Sequence, residues 1–548
     1  MSIARPDYPS REQSDGRPQT SRGWKSGGVT GAAKPIRAAE LTIALSLATD
    51  LGTGQPMEHG LRTCWLSLAA AEAMGLDPAT RSCVYYVALL RFVGCTSDAA
   101  ETATLAGGDD IEFNAVMAPM LLADRGEGMH FFVRHLAEDL PLHRRLARVA
   151  RAMSDPGLEQ RSLSGHCEVA SRLANRLGMS KSVCDALAHA YERWDGKGYP
   201  DGLAGEDVPV AVRVVAAARD AEMWQRQRGW AAAAEVLARR RGRGCDPAVV
   251  DVLLTHGERW LAELGDDPCA VVLDAEPEPV HTFAVDDLDR ALAALADFVD
   301  LKSPFLRGHS AGVAALAVAA AEAAGLSDGD AATLGRAALV HDVGRVGIAN
   351  GIWDHPGQLS ADQWERVRLH TYLTERVLHR CTPLARFAEL AGRHHERADG
   401  SGYHRGATGD QLDLSARLLA AADAFHAMCE TRPHRRALEP TEAALQLLDA
   451  VDAGRFTRVE VDAVLAAAGQ VSRPANVARP AGLTEREVDV LRLIARGHSN
   501  KGVAATLGIS PKTVGHHIEH IYAKAAVGTR AGATLFAMEH GLMSLGGP

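Results

Sequence analysis

Histidine and aspartate side chains that suit metal binding are concentrated in the second half of the chain, on or beside segments whose patterning predicts helices. Neutral imidazoles and carboxylates favour iron, manganese and similar divalent ions, and this many ligands exceeds what one tetrahedral centre takes. A single histidine on a helix is more often structural, so the joint arrangement points to metal chemistry. The set predicts two or more metals and comprises His309, His341, Asp342, His370, His394, His395 and Asp423.

The segment that carries these residues is the second copy of a pattern that occurs twice in the chain. Residues 192–199 and 396–403 are identical at six of eight positions, at an offset of 204 residues. Nearer the start of each copy the offset is 250 residues, which relates His59 to His309. The two offsets differ by 46 residues, so an insertion is predicted in the first copy between about residues 97 and 161.

The first copy lacks most of the candidate ligands. Five of the seven are replaced at the duplicated positions, and only His59 and His166 remain. The replacements are Arg91 and Phe92 for His341 and Asp342, Ala190 and Tyr191 for His394 and His395, and Arg219 for Asp423. Two imidazoles with arginines nearby do not hold a dinuclear centre, so we interpret the first copy as inactive. It is retained for packing, for dimerisation or for sensing a ligand.

The motifs of the second copy resemble those of the HD-GYP phosphohydrolases over residues 286–470. The resemblance lies in His309-Ser310, in His341-Asp342-Val343-Gly344-Arg345, in His370, in the run from His394 to Tyr403, and in Asp423 with Arg432-Pro433-His434-Arg435. It implies an all-helical fold, two or three metal ions, usually iron or manganese, and hydrolysis of cyclic di-GMP. By the same resemblance the seven residues above are ligands, and Asp300 stands where some members place a glutamate that holds a third metal.

This chemistry is physically reasonable, because two cations activate a shared water at neutral pH and screen the charge of a phosphodiester. The resemblance gives Asp342 a catalytic role as a carboxylate shared by both metals. Arg345 stands where the family usually has lysine, and it can donate to a phosphate oxygen as a fork rather than as a point charge. The predicted substrate loop contains Asp399, Gly400, Gly402 and Tyr403, and it reads Gly-Tyr-His where the family has Gly-Tyr-Pro.

The last seventy residues contain helix signals of a different kind. Thr484 and Glu487 form a capping-box pattern, and Ser510-Pro511 marks the start of a later helix. Val514, Ile518 and Ile521 give that helix a buried face. Residues 483–541 resemble the LuxR-type helix-turn-helix, whose reading helix enters the major groove. The implied DNA contacts are Lys501, Ser510, Lys512, Thr513, His516 and His517.

Composition and spacing set the predicted architecture. Asp and Glu number 69 against 59 Lys and Arg, a net charge of −10, so DNA contact requires a local basic patch. Aromatic residues at 5% beside abundant alanine favour helices. We predict an all-α protein: two duplicated HD-type helical bundles followed by a small four-helix helix-turn-helix domain. The predicted boundaries are a disordered arm at 1–37, the first copy at 38–274, the second at 285–470, a linker at 471–481 and the helix-turn-helix domain at 482–548.

Location and partners follow from what the sequence lacks. It has no apolar run of ~18 residues, no secretory signal and no C-x-x-C pair among its nine cysteines, which favours a cytoplasmic protein with buried thiols and no membrane partner. LuxR-type domains dimerise through the helix after the reading helix, here about residues 529–540, which predicts a homodimer.

Three functions are compatible with the sequence. The first is a cytoplasmic transcription regulator with a phosphodiesterase module that hydrolyses or senses cyclic di-GMP. The second is a DNA-binding regulator whose metal site senses a ligand without turnover. The third is an HD phosphohydrolase that acts on another phosphoester.

Overall fold

Helices make up nearly all of the regular structure in the computed structural model, which describes residues 36–121, 157–471 and 480–543. The predicted all-α class is confirmed. The strands among these residues are β1 (Ile36–Arg37) and β2 (Thr282–Phe283), which pair antiparallel. In the described part of the chain, no helix has the length and apolarity needed to cross a membrane. All nine cysteines are free thiols and seven are buried, as predicted.

The first copy contains eleven described α-helices. They are α1 (Ala38–Gly52), α2 (His59–Ala73), α3 (Pro78–Leu90), α4 (Ala99–Ala106), α5 (Asp110–Met117), α6 (Leu158–Arg176), α7 (Lys181–Ala188), α8 (Val210–Arg228), α9 (Trp230–Arg240), α10 (Pro247–Glu263) and α11 (Pro268–Asp274). A 3-10 helix at Val93–Thr96 lies between α3 and α4. Local sequence sets these boundaries: Asp77 accepts hydrogen bonds from the amides of Ala79 and Thr80, with Pro78 at the first position of α3, as the sequence predicts.

The second copy repeats this order. Its described α-helices are α12 (Val285–Asp300), α13 (His309–Ala323), α14 (Asp328–Val340), α15 (Asn350–Trp353), α16 (Ala361–His379), α17 (Thr382–Gly392), α18 (Leu414–Met428), α19 (Pro440–Asp452) and α20 (Arg458–Val471). A 3-10 helix at Val343–Gly347 corresponds to the one at Val93–Thr96. Both 3-10 helices need glycine, because a Cβ on Gly94 or Gly344 would overlap the backbone of His166 or His370.

The two copies share one hydrophobic core rather than packing as separate bundles. Apolar side chains of α1, α2, α3 and α8 from the first copy join those of α12, α16 and α17 from the second in a single cluster. Helix α1 packs against the 3-10 helix of the second copy, and α12 packs against that of the first. The Thr96 hydroxyl donates a hydrogen bond of 3.2 Å to the carbonyl of Phe298, which fixes α12 against the 3-10 helix of the first copy.

A buried ion pair also joins the copies. Lys302 Nζ lies 2.6 Å from Asp110 Oδ2, and the two side chains are 2% and 1% exposed. The other oxygen of Asp110 accepts the backbone N–H of Asn350 at 2.5 Å. Asp110 belongs to the first copy and both of its partners to the second, so this carboxylate ties α5 to the start of α15.

The last two residues of the predicted disordered arm, 1–37, are ordered. Residues 1–35 lie outside the described residues, but Ile36 and Arg37 form β1. The Arg37 side chain pairs with Glu276 and donates to the carbonyl of Leu273, which holds the segment beside the end of α11. Most of the predicted linker, 472–479, also lies outside the described residues, and the domain boundaries remain predictions.

The C-terminal helices form their own small core. They are α21 (Glu485–Ala495), α22 (Asn500–Leu507), α23 (Pro511–Ala525) and α24 (Arg530–Glu539). The capping box of Thr484 and Glu487 is present, and Ser510 caps α23. One face of α24 completes this core with Ala533, Phe536 and Ala537.

Replacing Lys302 by methionine should destabilise the protein by about 3–5 kcal/mol, because Asp110 would then be a buried, uncompensated charge. The midpoint of urea unfolding measures this loss. K302M/D110N should recover part of it, since an asparagine oxygen can still accept from Asn350. The control R290M breaks an exposed ion pair with Asp287 and should leave the midpoint unchanged. A midpoint for K302M equal to that of R290M would contradict the role of the buried pair.

Candidate metal centre and nucleic-acid interface

The predicted ligands of the second copy meet at one place, because five helices end or pass there. His309 is the first residue of α13, His341 and Asp342 directly follow α14, and His370 lies in the second half of α16. His394 and His395 follow α17, and Asp423 lies in α18. Six of the seven side chains are buried and His395 is half-buried.

Three of the imidazoles have their tautomer fixed by the backbone. The Nδ1 atoms of His341, His370 and His394 lie 2.6, 2.5 and 2.7 Å from the carbonyl oxygens of the residues three positions earlier. A carbonyl oxygen only accepts, so each Nδ1 carries the proton. Each Nε2 is therefore left with a free lone pair.

These lone pairs point at one another. His370 Nε2 and His394 Nε2 are 3.1 Å apart. With the proton on Nδ1, neither imidazole in its neutral form has an Nε2 proton to donate to the other. Burial lowers the pKa of His370 to about 3 and that of His341 to about 4, so both rings are neutral. Two facing lone pairs repel unless a cation lies between them. The donor set thus fits a metal ion, which neutral imidazoles bind.

Asp342 separates the ligands into two groups. Its Oδ1 lies 3.4 Å from His394 Nε2 and 3.6 Å from His370 Nε2. Its Oδ2 lies 3.5 Å from His341 Nε2 and 3.8 Å from His309 Nε2. The Oδ1 atom and the Nε2 atoms of His309 and His341 are buried without a hydrogen-bond partner. Each carboxylate oxygen of Asp342 thus serves one group of imidazoles, as a bridging ligand between two metals would.

Asp423 and His395 complete the two groups. Asp423 Oδ1 lies 3.2 Å from His309 Nε2, and Asp423 Oδ2 lies 3.8 Å from His395 Nδ1. Although burial opposes it, the nearby imidazoles of His309 and His395 hold the pKa of Asp423 well below its usual range. The arrangement therefore offers ligands for two metal ions.

Asp300, which the resemblance implies as a third-metal ligand, has a structural role in capping a helix. Its two oxygens accept the backbone N–H of Ser310 at 2.9 Å and the Ser310 hydroxyl at 2.8 Å, which caps the start of α13. Asp50, at the equivalent position of the first copy, accepts the N–H of Gly60 at 3.2 Å in the same way. Because the first copy lacks most of the candidate ligands and keeps this bond, the carboxylate supports the fold at this position, and its role as a third-metal ligand stays a prediction.

Two residues near His309 were not identified from the sequence. Glu430 Oε2 lies 3.0 Å from His309 Nδ1, and Glu430 also pairs with Arg432 at 2.7 Å. His426 Nδ1 lies 3.4 Å from Glu430 Oε1. Despite the desolvation of His309, the Glu430 carboxylate raises the pKa of that imidazole to about 10. Glu430 is placed to orient His309, the usual role of a carboxylate behind a ligand imidazole.

A cavity of about 740 Å³ opens beside the metal ligands, within the size range of small-molecule sites. His395, Tyr403 and Asp423 line it together with Arg345 and Arg432. Arg345 Nη1 donates to Asp342 at 2.7 Å, and its guanidinium carbon lies 3.8 Å from the centre of the Trp353 ring. Arg345 is therefore held in the cavity wall, where a phosphate oxygen could reach it.

The predicted substrate loop divides into one cavity residue and a structural turn. Tyr403 lines the cavity, and its ring centre lies 4.8 Å from that of His395. Asp399 instead accepts from the amide and hydroxyl of Ser401 at the surface. Gly400 has a φ of 77°, and Gly402 leaves no room for a Cβ beside Glu396. The residues equivalent to Asp399, Gly400 and Gly402 persist in the first copy, which favours a structural role for them.

The predicted DNA contacts lie at the start of α22 and along α23. Val514 and Ile521 are buried in the C-terminal core and Ile518 is partly buried, as the sequence predicts. Lys501, Lys512, Thr513 and His516 are exposed and His517 is half-buried. Ser510 uses its hydroxyl to cap α23 through the amide of Thr513. The first turns of α23 thus present a cationic, hydrogen-bonding surface to solvent.

Helix α24, the predicted dimerisation helix, packs against its own chain. Leu535 and Met538 enter the main hydrophobic core, and α24 contacts α6 and α12. Glu168 of α6 accepts the backbone N–H of Gly528 at 2.9 Å. Dimerisation through α24 therefore requires this contact to open.

Comparisons with known proteins find matches for the two duplicated copies and for the C-terminal helices. A family model described as HD domain matches residues 157–249 and 293–457, and one described as bacterial regulatory proteins, luxR family, matches 481–537. A 3′3′-cGAMP-specific phosphodiesterase of Vibrio cholerae is 31% identical over 417 residues, which cover 75% of this chain and 90% of that protein. A cyclic di-GMP phosphodiesterase of Thermotoga maritima is 32% identical over 176 residues, which cover 32% of this chain and 47% of that enzyme.

A solved structure is also similar. It is the crystal structure of a cyclic GMP-AMP specific phosphodiesterase from V. cholerae, with a TM-score of 0.56 and 26% identity. The match covers 80% of this chain and 98% of that one.

Replacing Glu430 by glutamine should lower metal affinity by about 10–100-fold, because an amide orients His309 without the negative charge that raises its basicity. Competition with a chromogenic chelator measures the change. The control E442Q, at an exposed position of α19, should bind metal like the parent. Equal affinities for E430Q and the parent would show that Glu430 does not support the ligand.

Proposed function

Because the chain belongs to the HD-domain phosphodiesterases of the HD-GYP type and carries a luxR-family helix-turn-helix domain, we propose that it hydrolyses a cyclic dinucleotide and regulates transcription. The observation that carries the hydrolytic part is the position of Asp342. Its two oxygens face two groups of imidazole lone pairs beside the cavity.

The metals would be two divalent cations, iron or manganese. One would be held by His309, His341, Asp342 and Asp423, and the other by His370, His394, His395 and Asp342. Bound there, they supply an activated water and screen the charge of the phosphodiester. Imidazole and carboxylate ligands are typical of iron and manganese sites, whereas structural zinc prefers a closed tetrahedral set.

The surrounding residues have separate tasks in binding the substrate. Arg345, fixed between Asp342 and the Trp353 ring, donates to a phosphate oxygen, and its fork geometry suits a phosphodiester. Tyr403 forms the wall next to His395 and restricts where a base can lie. Burial lowers the pKa of His395 well below its usual range, so this imidazole stays an unprotonated ligand at neutral pH.

The substrates to compare are the two cyclic dinucleotides that the relatives' names contain, cyclic di-GMP and 3′3′-cGAMP. Both offer two phosphodiesters and two purines, so the ligand set alone favours neither. The sequence predicts cyclic di-GMP through the family resemblance, whereas a relative that matches over 417 residues is named for 3′3′-cGAMP.

The regulatory part rests on the exposed start of α23. Lys512 and Lys501 can contact phosphates, and His516, one turn beyond Lys512, can reach a base edge. The chain would thus combine turnover of a cyclic dinucleotide with DNA binding in one molecule.

Replacing Asp342 by asparagine should remove bound metal and reduce turnover of both cyclic dinucleotides at least 100-fold, because an amide cannot serve two cations. Metal analysis and chromatography of the nucleotide products measure the two effects. D449N changes an exposed carboxylate on α19 and should behave like the parent. A folded D342N protein that keeps both its metal and its turnover would refute the proposed centre.

Replacing Lys512 by alanine should weaken binding about equally on specific and random DNA and reduce the salt slope by about one, because one phosphate contact is lost. Titrations of the full chain at several salt concentrations measure both quantities. The control K181A removes an exposed lysine of the first copy and should leave the slope unchanged. If K512A and K181A give the same slope and affinity, α23 does not read DNA.

A further inference from the structure

The first copy carries arginines where the second carries metal ligands. By the two offsets, Arg91 stands at the position of His341 and Arg219 at that of Asp423. The two remaining imidazoles have carboxylate partners: His59 pairs with Glu222, and His166 Nε2 lies 2.8 Å from Asp98. Among the described residues, the groups that could hold a metal all lie in the second copy.

Arg91 is buried without a partner in the described part of the chain. It is 8% exposed, and its Nε and Nη1 atoms make no hydrogen bond there. Its guanidinium carbon lies 5.4 Å from the centre of the Tyr191 ring and 5.6 Å from that of Phe92. Aromatic faces compensate a buried charge only in part, and an unpaired guanidinium in such a site is costly.

The charges around Arg91 do not balance. Asp220 is shared by two other arginines, because its Oδ1 accepts from Arg219 at 2.9 Å and its Oδ2 from Arg240 at 2.6 Å. Arg219 also lies over the Phe92 ring, at 5.8 Å from its centre. In the described part of the chain, the guanidiniums of Arg91, Arg219 and Arg240 thus lie near the Asp220 carboxylate. Burial lowers the pKa of Arg91, and the nearby charge of Arg219 lowers it further.

The second copy would have a similar excess of positive over negative charge once it binds metal ions. There, divalent cations would exceed the charge of Asp342 and Asp423, which attracts a phosphodiester. In the first copy Phe92 and Arg219 have replaced those two carboxylates. The substitution changes the source of positive charge from metal ions to guanidiniums.

We propose that the first copy binds a phosphate ester on Arg91 and Arg219, at the place where the second copy has its metal ligands. Guanidinium N–H groups donate to phosphate oxygens, and Nε and Nη1 of Arg91 and Nε of Arg219 are buried donors without a partner among the described residues. The Nη atoms of Arg219 donate to Asp220 and to the carbonyl of Ala118. The site is a binding site without turnover, so it does not depend on hydrolysis in the second copy. A cyclic dinucleotide, its linear product and free phosphate share the required chemistry.

Calorimetry on the full chain tests the proposal, with D342N as the background that silences the second copy. The probes are cyclic di-GMP, 3′3′-cGAMP, the linear dinucleotide pGpG and inorganic phosphate. At least one probe should bind with about one equivalent per chain, and adding R91M should weaken that probe at least tenfold. The probe that binds most tightly identifies the source of the phosphate.

R239M is the matched control, because Arg239 is an exposed arginine of the same copy. It should bind the probes like the parent. Absence of binding by the D342N chain, or equal affinities with and without R91M, would overturn the proposal.

Thermal unfolding separates a ligand-binding arginine from a structural one. Without probe, the R91M chain should unfold at the same temperature as its parent or higher, because an apolar side chain replaces an unpaired buried charge. The best probe should raise the unfolding temperature of the parent and not that of R91M. A lower unfolding temperature for R91M, with no probe shift in either chain, would show that Arg91 is paired within the protein and refute the site.

If R91M fails to fold, R91K provides the test, because it keeps the charge and loses the fork. Its affinity for the best probe should fall several-fold. An affinity equal to that of the parent would contradict recognition by the Arg91 guanidinium.

Discussion

Hydrogen bonds from imidazole Nδ1 atoms to backbone carbonyls determine the chemistry of the second copy. In His341, His370 and His394 the acceptor is the carbonyl three residues earlier, which belongs to the helix that carries or precedes the histidine. Helix geometry therefore fixes the tautomer and turns each Nε2 atom toward Asp342, His370 and His394 toward one carboxylate oxygen and His341 toward the other. Burial keeps His341 and His370 neutral, so these two rings do not take up a proton at ordinary pH. A metal cation between the facing Nε2 atoms would relieve their repulsion, and Asp342 lies where two such cations would share its carboxylate.

The duplication separates residues that hold the fold from residues that do the chemistry. Gly94 and Gly344 let a 3-10 helix approach a neighbouring helix in both copies. Glu192 and Glu396 each accept two backbone amides of the following loop. These glycines and glutamates occur in the first copy, which lacks most of the candidate metal ligands, as well as in the second, so their role is structural. The first copy lacks five of the seven candidate ligands and still forms its helices and core, so these side chains are not needed to build the bundle.

Sequence reasoning succeeded where a structural feature depends on residue type at fixed spacing, as in the helix caps at Asp77, Thr484 and Ser510 and the buried face of α23. The predicted ligands also come together in the structure, while their role as ligands stays a prediction. Sequence reasoning missed Glu430 and His426, because their relation to His309 arises only when α18 packs against the start of α13. The resemblance implies Asp300 as a third-metal ligand, but local patterns did not reveal that Asp300 caps α13. The bond to Ser310, which uses both oxygens of Asp300, depends on how the chain turns between α12 and α13.

The packing of α24 is a further feature that local patterns could not reveal, since an apolar outer face serves equally for a second subunit or for the same chain. Here it meets α6 and α12, and Arg176 of α6 lies between Asp297 of α12 and Glu539 of α24. Burial raises the pKa of Asp297 to about 6 even though Arg176 opposes the shift. Helix α12 also contacts the 3-10 helices Val93–Thr96 and Val343–Gly347, which adjoin the first-copy arginines and the metal ligands. Helix α12 thus touches the surroundings of the candidate metal ligands, those of the first-copy arginines and the luxR-family helix-turn-helix domain. A displacement of α12 by a ligand in either copy would have to repack the face of α24, and this gives the fusion of these domains a physical basis.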